Sequence, residues 1–217
     1  YKIGQVFAIT GRVLPVTLEN VDLSAKLENG QIVKGESTIP KEVRKQKCKI
    51  DKISLIPENC RPLDEVISSI HGADIIVMGP GSLYTSVIPN LLVPGVIEAI
   101  KKSNAKKVYI PNVMTQPGET EGYNVLDHVQ AIIKHTEPGL IDCIVTNNEK
   151  ISESVARRYN DDGSTQVLLD NEQRLKLKCM GIKAVESNLI EVKDNYIRHN
   201  ADEISSIIIK LALGHDM

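Results

Sequence analysis

A chain of 217 residues, 41% hydrophobic and 25% charged, can bury one large core or a core with an appendage. Its net charge of -2 excludes a globally basic surface, so nothing in the totals points to nucleic acid as a partner. No apolar run approaches the ~18 residues of a membrane span and no signal-peptide pattern is seen, so membrane insertion is not expected.

Cys48, Cys60, Cys143 and Cys179 share no C-x-x-C spacing. They read as scattered reduced thiols, which suits a cytoplasmic protein. Tryptophan is absent and Phe7 is the single phenylalanine, so aliphatic side chains must build the core. The opening "YKIGQVFAITGRVLPVT" reads as the interior of a domain, and an N-terminal portion is expected to lie outside this sequence.

In chain order, residues 12–56 read as a β-meander. "RVLPVT" and "VDLSAKL" lead to a hairpin turn at Asn29-Gly30, and "CKIDKISLIPE" alternates as a further strand with Ile50, Ile53 and Leu55. The basic run "KEVRKQKCK" reads as a solvated hairpin or strand edge. "PLDEVISSIHGAD" places Leu63, Val66, Ile67 and Ile70 at helical spacing and closes on Gly72.

Strands then alternate with helices. The strands are "DIIVMG", "KKVYIPN" and "IDCIVTN", with "TQVLLD" and "GIKAVES" as further candidates. The helices are "VPGVIEAIKKSNA", "NVLDHVQAIIKHT", "ISESVARRYN" and the terminal "ADEISSIIIKLAL". This alternation predicts parallel βαβ units, hence an α/β fold with a doubly wound, mostly parallel sheet and a small β-meander near the N-terminus. Residues 1–217 are expected to form one domain. The apolar connection "SVIPNLLVPG" would either pack internally or cover a second subunit, and a homodimer is expected from it.

Ligands of open parallel sheets sit beyond the carboxyl ends of the strands. At the first such end stands "GPGSLYTS". Gly79 and Gly81 allow close backbone approach and Ser82 offers a hydroxyl, so the turn either cradles a phosphate or is a tight strand–helix connection. It lacks the spacing and the lysine of a P-loop. The second is "NVMTQPGETEGY", long for a connection and crowded with Asn112, Thr115, Gln116, Glu119 and Thr120. Glu119 and Glu121 could hold Mg²⁺ beside substrate phosphates, although a helix dipole explains two such glutamates better.

At the following helix start, adjacent Asp127 and His128 point apart, and His128 reads as a hydrogen-bonded neighbour rather than a base. Late in the chain Tyr159 could stack on a base or sugar, and Arg198 could grip a diphosphate. Arg157 and Arg158 read equally as solvated helix residues. No nucleophile–base motif is present, and no catalytic residue is assigned.

"GPGSLYTSVIPNLLVPGVIEAI", "KKVYIPNVMTQPGETEGYNVLDHVQAI" and "IRHNA", with "GRVLPVT" and "GESTIPK", resemble the YvcK/CofD-like family, whose bacterial members include the gluconeogenesis factors. The resemblance covers nearly the whole chain and is closest to the YvcK branch. It implies a Rossmann-like core and a cytoplasmic protein. The CofD branch is 2-phospho-L-lactate transferase, which uses Mg²⁺ and moves a phospholactyl group onto a deazaflavin precursor. The YvcK branch implies binding of a UDP-sugar, notably UDP-N-acetylglucosamine, and a role in gluconeogenic growth, cell shape and wall synthesis.

In that branch Tyr159 and Arg198 match nucleotide-sugar contacts. The GGGTG and DDGGS motifs with which the family begins do not occur here, so the expected site is only partly present. The resemblance therefore implies a regulatory UDP-sugar binder that requires no cofactor, with Mg²⁺ as an option and wall-synthesis or signalling proteins as partners. The alternative it leaves open is an Mg²⁺-dependent transferase. The expected ligand contacts are Gly79, Gly81, Ser82, Asn112, Thr115, Tyr159 and Arg198.

Overall fold

The computed structural model describes residues 11–193 and 196–215. The opening residues 1–10, read above as the interior of a domain, lie outside them.

β1 (Asp22–Leu27), β2 (Ile32–Lys34) and β3 (Ile50–Ile56) form an antiparallel sheet in the order β2-β1-β3. The β1–β2 hairpin turns at Asn29-Gly30, where Gly30 takes φ 85°, a conformation that favours glycine. Arg12–Thr17 is not a strand. It runs alongside as irregular chain, tied down by the Leu63 N–H donating to Val16 O at 2.9 Å.

The basic run is not a hairpin edge either. It forms a helix, α1 (Ile39–Gln46), inserted between β2 and β3. Pro40 in its first turn suits a helix start, and Ile39 and Val43, four residues apart, bury its inner face. Charge density hid this two-residue apolar stripe. The meander is thus a helix-interrupted sheet over 22–56.

After α2 (Asp64–His71) comes a parallel sheet of β4 (Ile75–Met78), β5 (Lys106–Tyr109), β6 (Cys143–Asn147) and β7 (Lys183–Ser187), in the order β4-β5-β6-β7. The predicted α/β class with a parallel sheet is the observed one. A single π turn at Leu83–Val87 follows β4, then α3 (Ile88–Leu91) and α4 (Val96–Lys102). α5 (Val125–His135) links β5 to β6, and α6 (Glu153–Asp161) and α7 (Asn171–Cys179) link β6 to β7. A short hairpin of β8 (Ile190–Lys193) and β9 (Tyr196–His199) precedes α8 (Ala201–Ala212).

Alternation along the parallel strands separates two cores. Tyr109 and Ile144 pack with Ile100 of α4, Val129 and Ile132 of α5 and the inner face of the antiparallel sheet. Val108, Cys143 and Val145 face the other way, onto Ile204, Ile207 and Leu211 of α8. Both faces of the sheet are therefore covered, as parallel sheets require.

One further expected element changes identity. "TQVLLD" is no strand; it touches the loop after β5 through an isolated bridge, Gln166 to Met114. Asp170 at its end caps α7 by accepting from the Gln173 N–H at 2.8 Å. α7 escaped notice because Gln173 and Leu177 are its only buried residues, too few to set a period. "SVIPNLLVPG" packs internally through Val87, Ile88, Leu91 and Val93, so this segment offers no apolar patch for a second subunit.

α5 anchors the antiparallel sheet. Its capping box is closed by Asn124 and Asp127, which places Asp127 in a structural role. His135 donates from Nδ1 to Ala131 O (2.7 Å) and accepts at Nε2 from the Ile53 N–H (2.9 Å), saturating an edge group of β3. Lys134 binds Asp51 at 2.6 Å beside it.

Burial holds the His135 pKa below 6.5, as it does for His128 and His199. The unfolded chain then takes up protons that the native state refuses, so stability present above pH 6.5 is lost as pH falls towards the depressed values. In urea titrations from about pH 5 to 8, His135→Leu is expected to flatten this acid limb. It should also cost about 1–3 kcal/mol at the alkaline end, from the orphaned Ile53 N–H.

Candidate ligand-binding cavity

The loops leaving the carboxyl ends of β4 and β5 are joined by side chains. Asn112 Nδ2 donates to Gln116 Oε1 at 3.0 Å, and Gln116 Nε2 donates to Ser82 Oγ at 2.8 Å. Glu119, 7% exposed, accepts from the Tyr84 N–H (3.2 Å) and the Thr85 hydroxyl (3.0 Å), bracing the π turn from the second loop. Glu121 accepts from the Gly118 N–H at 3.1 Å. Both glutamates are engaged as loop braces rather than at a helix start. Burial raises the Glu119 carboxyl above its ordinary range, against the two donors that lower it.

The second loop also pairs with the chain after α6. The Thr115 N–H donates to Thr165 O at 2.8 Å, and Thr115 Oγ1 accepts from the Thr165 N–H at 2.8 Å. Ser164 Oγ donates to Thr115 O. Residues 112–117 thereby become one wall of a cavity of about 640 Å³ beyond the end of β5. Tyr159, Asp162 and Ser164 form a second wall, Ile197 and His199 of β9 a third, and Arg44 of α1 reaches it from the antiparallel sheet. A volume of this size suits a small-molecule ligand.

The Tyr159 hydroxyl accepts from the Ile197 N–H at 2.8 Å and so ties β9 to α6. Arg158, an exposed helix residue, lies 5.9 Å from the Tyr159 ring and 5.7 Å from the Tyr196 ring, a cationic bridge across the same junction. Arg157 is exposed as well and pairs with Glu153. His199 Nε2 lies 3.3 Å from Pro111 O, and burial depresses its pKa, so it is a neutral ring. His128, 1% exposed, spends Nδ1 on Asn124 O at 2.8 Å and is a core histidine.

The cavity therefore gathers Asn112, Thr115 and Tyr159 of the expected contacts. Ser82 reaches it only through Gln116. Gly79 and Gly81 line a separate, apolar cavity of about 420 Å³ beside β4. Gly79 answers to packing: at φ 82°, a Cβ there would sit 2.6 Å from Ile110 O. Arg198 is exposed on β9 between Ile197 and His199, which are the two that line the cavity. Strand alternation explains this, because successive side chains leave opposite faces. Arg44, Gln116, Asp162, Ser164 and His199 were missed. "RHN" contained a signal for His199, since only one of two neighbouring strand residues can face a given side.

Ser164 spends its proton on a carbonyl, Thr115 is engaged by Thr165, and no base stands against either hydroxyl among the described residues. Those residues contain no cluster of three His, Cys, Asp or Glu side chains fit for a metal. Asp162 is the single carboxylate lining the cavity among them, so Mg²⁺ there would draw most of its oxygen ligands from a bound phosphate group. Cys48, Cys60, Cys143 and Cys179 are free thiols, two of them buried. No single helix among the described residues is long and apolar enough to cross a membrane.

Residues 1–190 match the family model described as 2-phospho-L-lactate transferase CofD. A protein named gluconeogenesis factor from Bacillus subtilis is 42% identical over 210 residues, which cover 97% of this chain and 64% of that protein. Another of the same name from Halalkalibacterium halodurans is 44% identical over 209 residues, covering 96% and 63%. The crystal structure of a UPF0052 family member from Bacillus halodurans superposes with a TM-score of 0.88 at 43% identity, covering 96% of this chain and 65% of that one. The chain thus spans under two thirds of the length of these relatives. With the parallel sheet, its loop-built cavity and these matches taken together, the chain belongs to the CofD family.

Proposed function

We propose that the cavity binds a nucleotide-diphosphate ligand, and that this ligand is a UDP-sugar of the UDP-N-acetylglucosamine type. The observation that carries the reading is the composition of the cavity. An aromatic ring (Tyr159), side-chain amides (Asn112, Gln116) and a cation (Arg44) meet in one space without a nucleophile–base pair among the described residues. Rings stack on bases, amides bond sugar hydroxyls and a guanidinium pairs with phosphate oxygens. A regulatory binder in the cytoplasm, coupling carbon supply to envelope synthesis, agrees with the name gluconeogenesis factor that relatives carry.

Isothermal titration of the intact protein with UDP-N-acetylglucosamine tests this, and absence of heat at millimolar ligand ends it. Tyr159→Phe keeps the ring but deprives the Ile197 N–H of its acceptor. It is expected to weaken binding by about tenfold, the equivalent of one hydrogen bond. Unchanged affinity would show that the tie from the hydroxyl to β9 does not set the affinity, and Tyr159→Ala, with the same titration, then tests the ring.

The family model favours a second reading, an Mg²⁺-dependent transferase of the 2-phospho-L-lactate type. Such transfer needs positioning and charge neutralisation more than a protein nucleophile. Mg²⁺-dependent turnover of a nucleotide-activated phospholactate, followed by chromatography and lost in Asn112→Ala, would establish it over simple binding.

A further inference from the structure

We infer that Arg44 is the phosphate-binding residue of the cavity, presented to it by α1; the assignment rests on the nucleotide-diphosphate reading above. Arg44 is the one cationic side chain lining the cavity among the described residues. Its guanidinium makes no hydrogen bond or ion pair with them, although Lys45 of the same helix is paired with Glu42. A free fork of donors at the edge of a ligand-sized space is matched to two phosphate oxygens.

The placement is built into the fold. Ile39 and Val43 anchor α1 in the core, and Pro40 of its first turn abuts Gly118 of the cavity loop so closely that a Cβ there would lie 2.2 Å from Pro40 O. The helix and the loop that forms the first wall are therefore one packed unit. α1 cannot move away from the loop without breaking that contact.

Asp162 of the second wall repels phosphate, and the neutral His199 of the third does not attract it. The phosphate end of a ligand is accordingly oriented towards α1. The uncharged part is left to Tyr159 of the second wall.

Calorimetry on the intact protein, with UDP-N-acetylglucosamine, uridine and inorganic pyrophosphate as probes, tests the assignment on Arg44→Ala and Arg44→Lys. Because Arg44 is exposed and unpaired, the thermal midpoint should be unchanged in both. Arg44→Ala is expected to weaken UDP-N-acetylglucosamine and pyrophosphate by roughly 10- to 100-fold while leaving uridine unaffected. Arg44→Lys should recover only part of the loss, since an ammonium lacks the fork. The salt dependence of UDP-N-acetylglucosamine binding should fall in the alanine variant.

Equal affinity of wild type and Arg44→Ala for UDP-N-acetylglucosamine overturns the role of Arg44 and leaves the UDP-sugar reading standing. Arg44-dependent pyrophosphate binding without UDP-N-acetylglucosamine binding supports Arg44 and overturns the UDP-sugar reading. A wild type that binds neither overturns both.

Discussion

Gly118→Ala is expected to be among the most damaging single-methyl additions in this protein. Gly118 holds φ 82°, where an L side chain costs about 1–2 kcal/mol. The added Cβ would also meet Pro40 at three backbone atoms, O at 2.2 Å, C at 2.8 Å and Cα at 2.9 Å. Backbone cannot rotate away as a side-chain tip can, so α1 or the loop must move, at a further cost of about 1–3 kcal/mol. Gly122 in the same loop supplies the control. It has φ 73° and nothing within 4 Å of the site a Cβ would take, so Gly122→Ala should show the strain alone, about 1 kcal/mol. Urea midpoints of the two variants measure the difference. Equal losses would mean that the contact between α1 and the loop does not stabilise the fold.

Glu119 carries the second large effect. Its carboxylate is the buried acceptor for the Tyr84 N–H and the Thr85 hydroxyl, and thus holds the π turn against the cavity loop. Glu119→Ala orphans a backbone donor that is buried with Tyr84 and is expected to cost about 1–3 kcal/mol. Glu119→Gln should stay within about 1 kcal/mol of wild type at neutral pH. Its Oε1 can take the Tyr84 N–H, while its amide donates to the Thr85 oxygen.

The pH dependence separates the variants further. The native Glu119 pKa is raised, first by burial and then by Glu36, so its contribution is present below the unfolded carboxylate range. It is lost as pH rises through the raised native value. Glu119→Gln should therefore lose less stability than wild type over that rise. A steeper alkaline loss in the glutamine variant would show that the ionised carboxylate is the favoured form.

The acid-side loss predicted from the buried histidines and the loss due to Glu119 have opposite slopes with pH. The two contributions therefore oppose each other wherever their pH windows overlap. His135→Leu flattens the loss on acidification and Glu119→Gln the loss as pH rises above the ordinary carboxylate range, so the two variants can be read independently.

What could be read along the chain was local. Apolar periodicity marked α2, α5 and α8 and the buried runs of β4, β5 and β6, because each element's face must match its own repeat. Asn29-Gly30 marked its hairpin, since few other pairs accept that turn. Loops at the carboxyl ends of parallel strands marked the region of the site, and Asn112, Thr115 and Tyr159 do line one cavity. α1 was lost because four cationic side chains in "KEVRKQK" outweighed an apolar stripe of two.

The remainder depended on residues far apart in the chain that only packing brings together. Gly118 reads as an ordinary turn glycine until Pro40 is found against it. Glu119 reads as a candidate metal ligand until Tyr84 and Thr85 claim its oxygens. Arg198 and His199 are equal in the sequence until the pairing of β8 with β9 sends them to opposite faces. Arg44 reads as a solvated charge until α1 is seen beside the second loop. Local propensity and periodicity determined which elements form and in what order. Which polar groups share a space was decided by burial, because hydrogen-bonding and charge demands become costly to leave unmet only when distant segments exclude water from them.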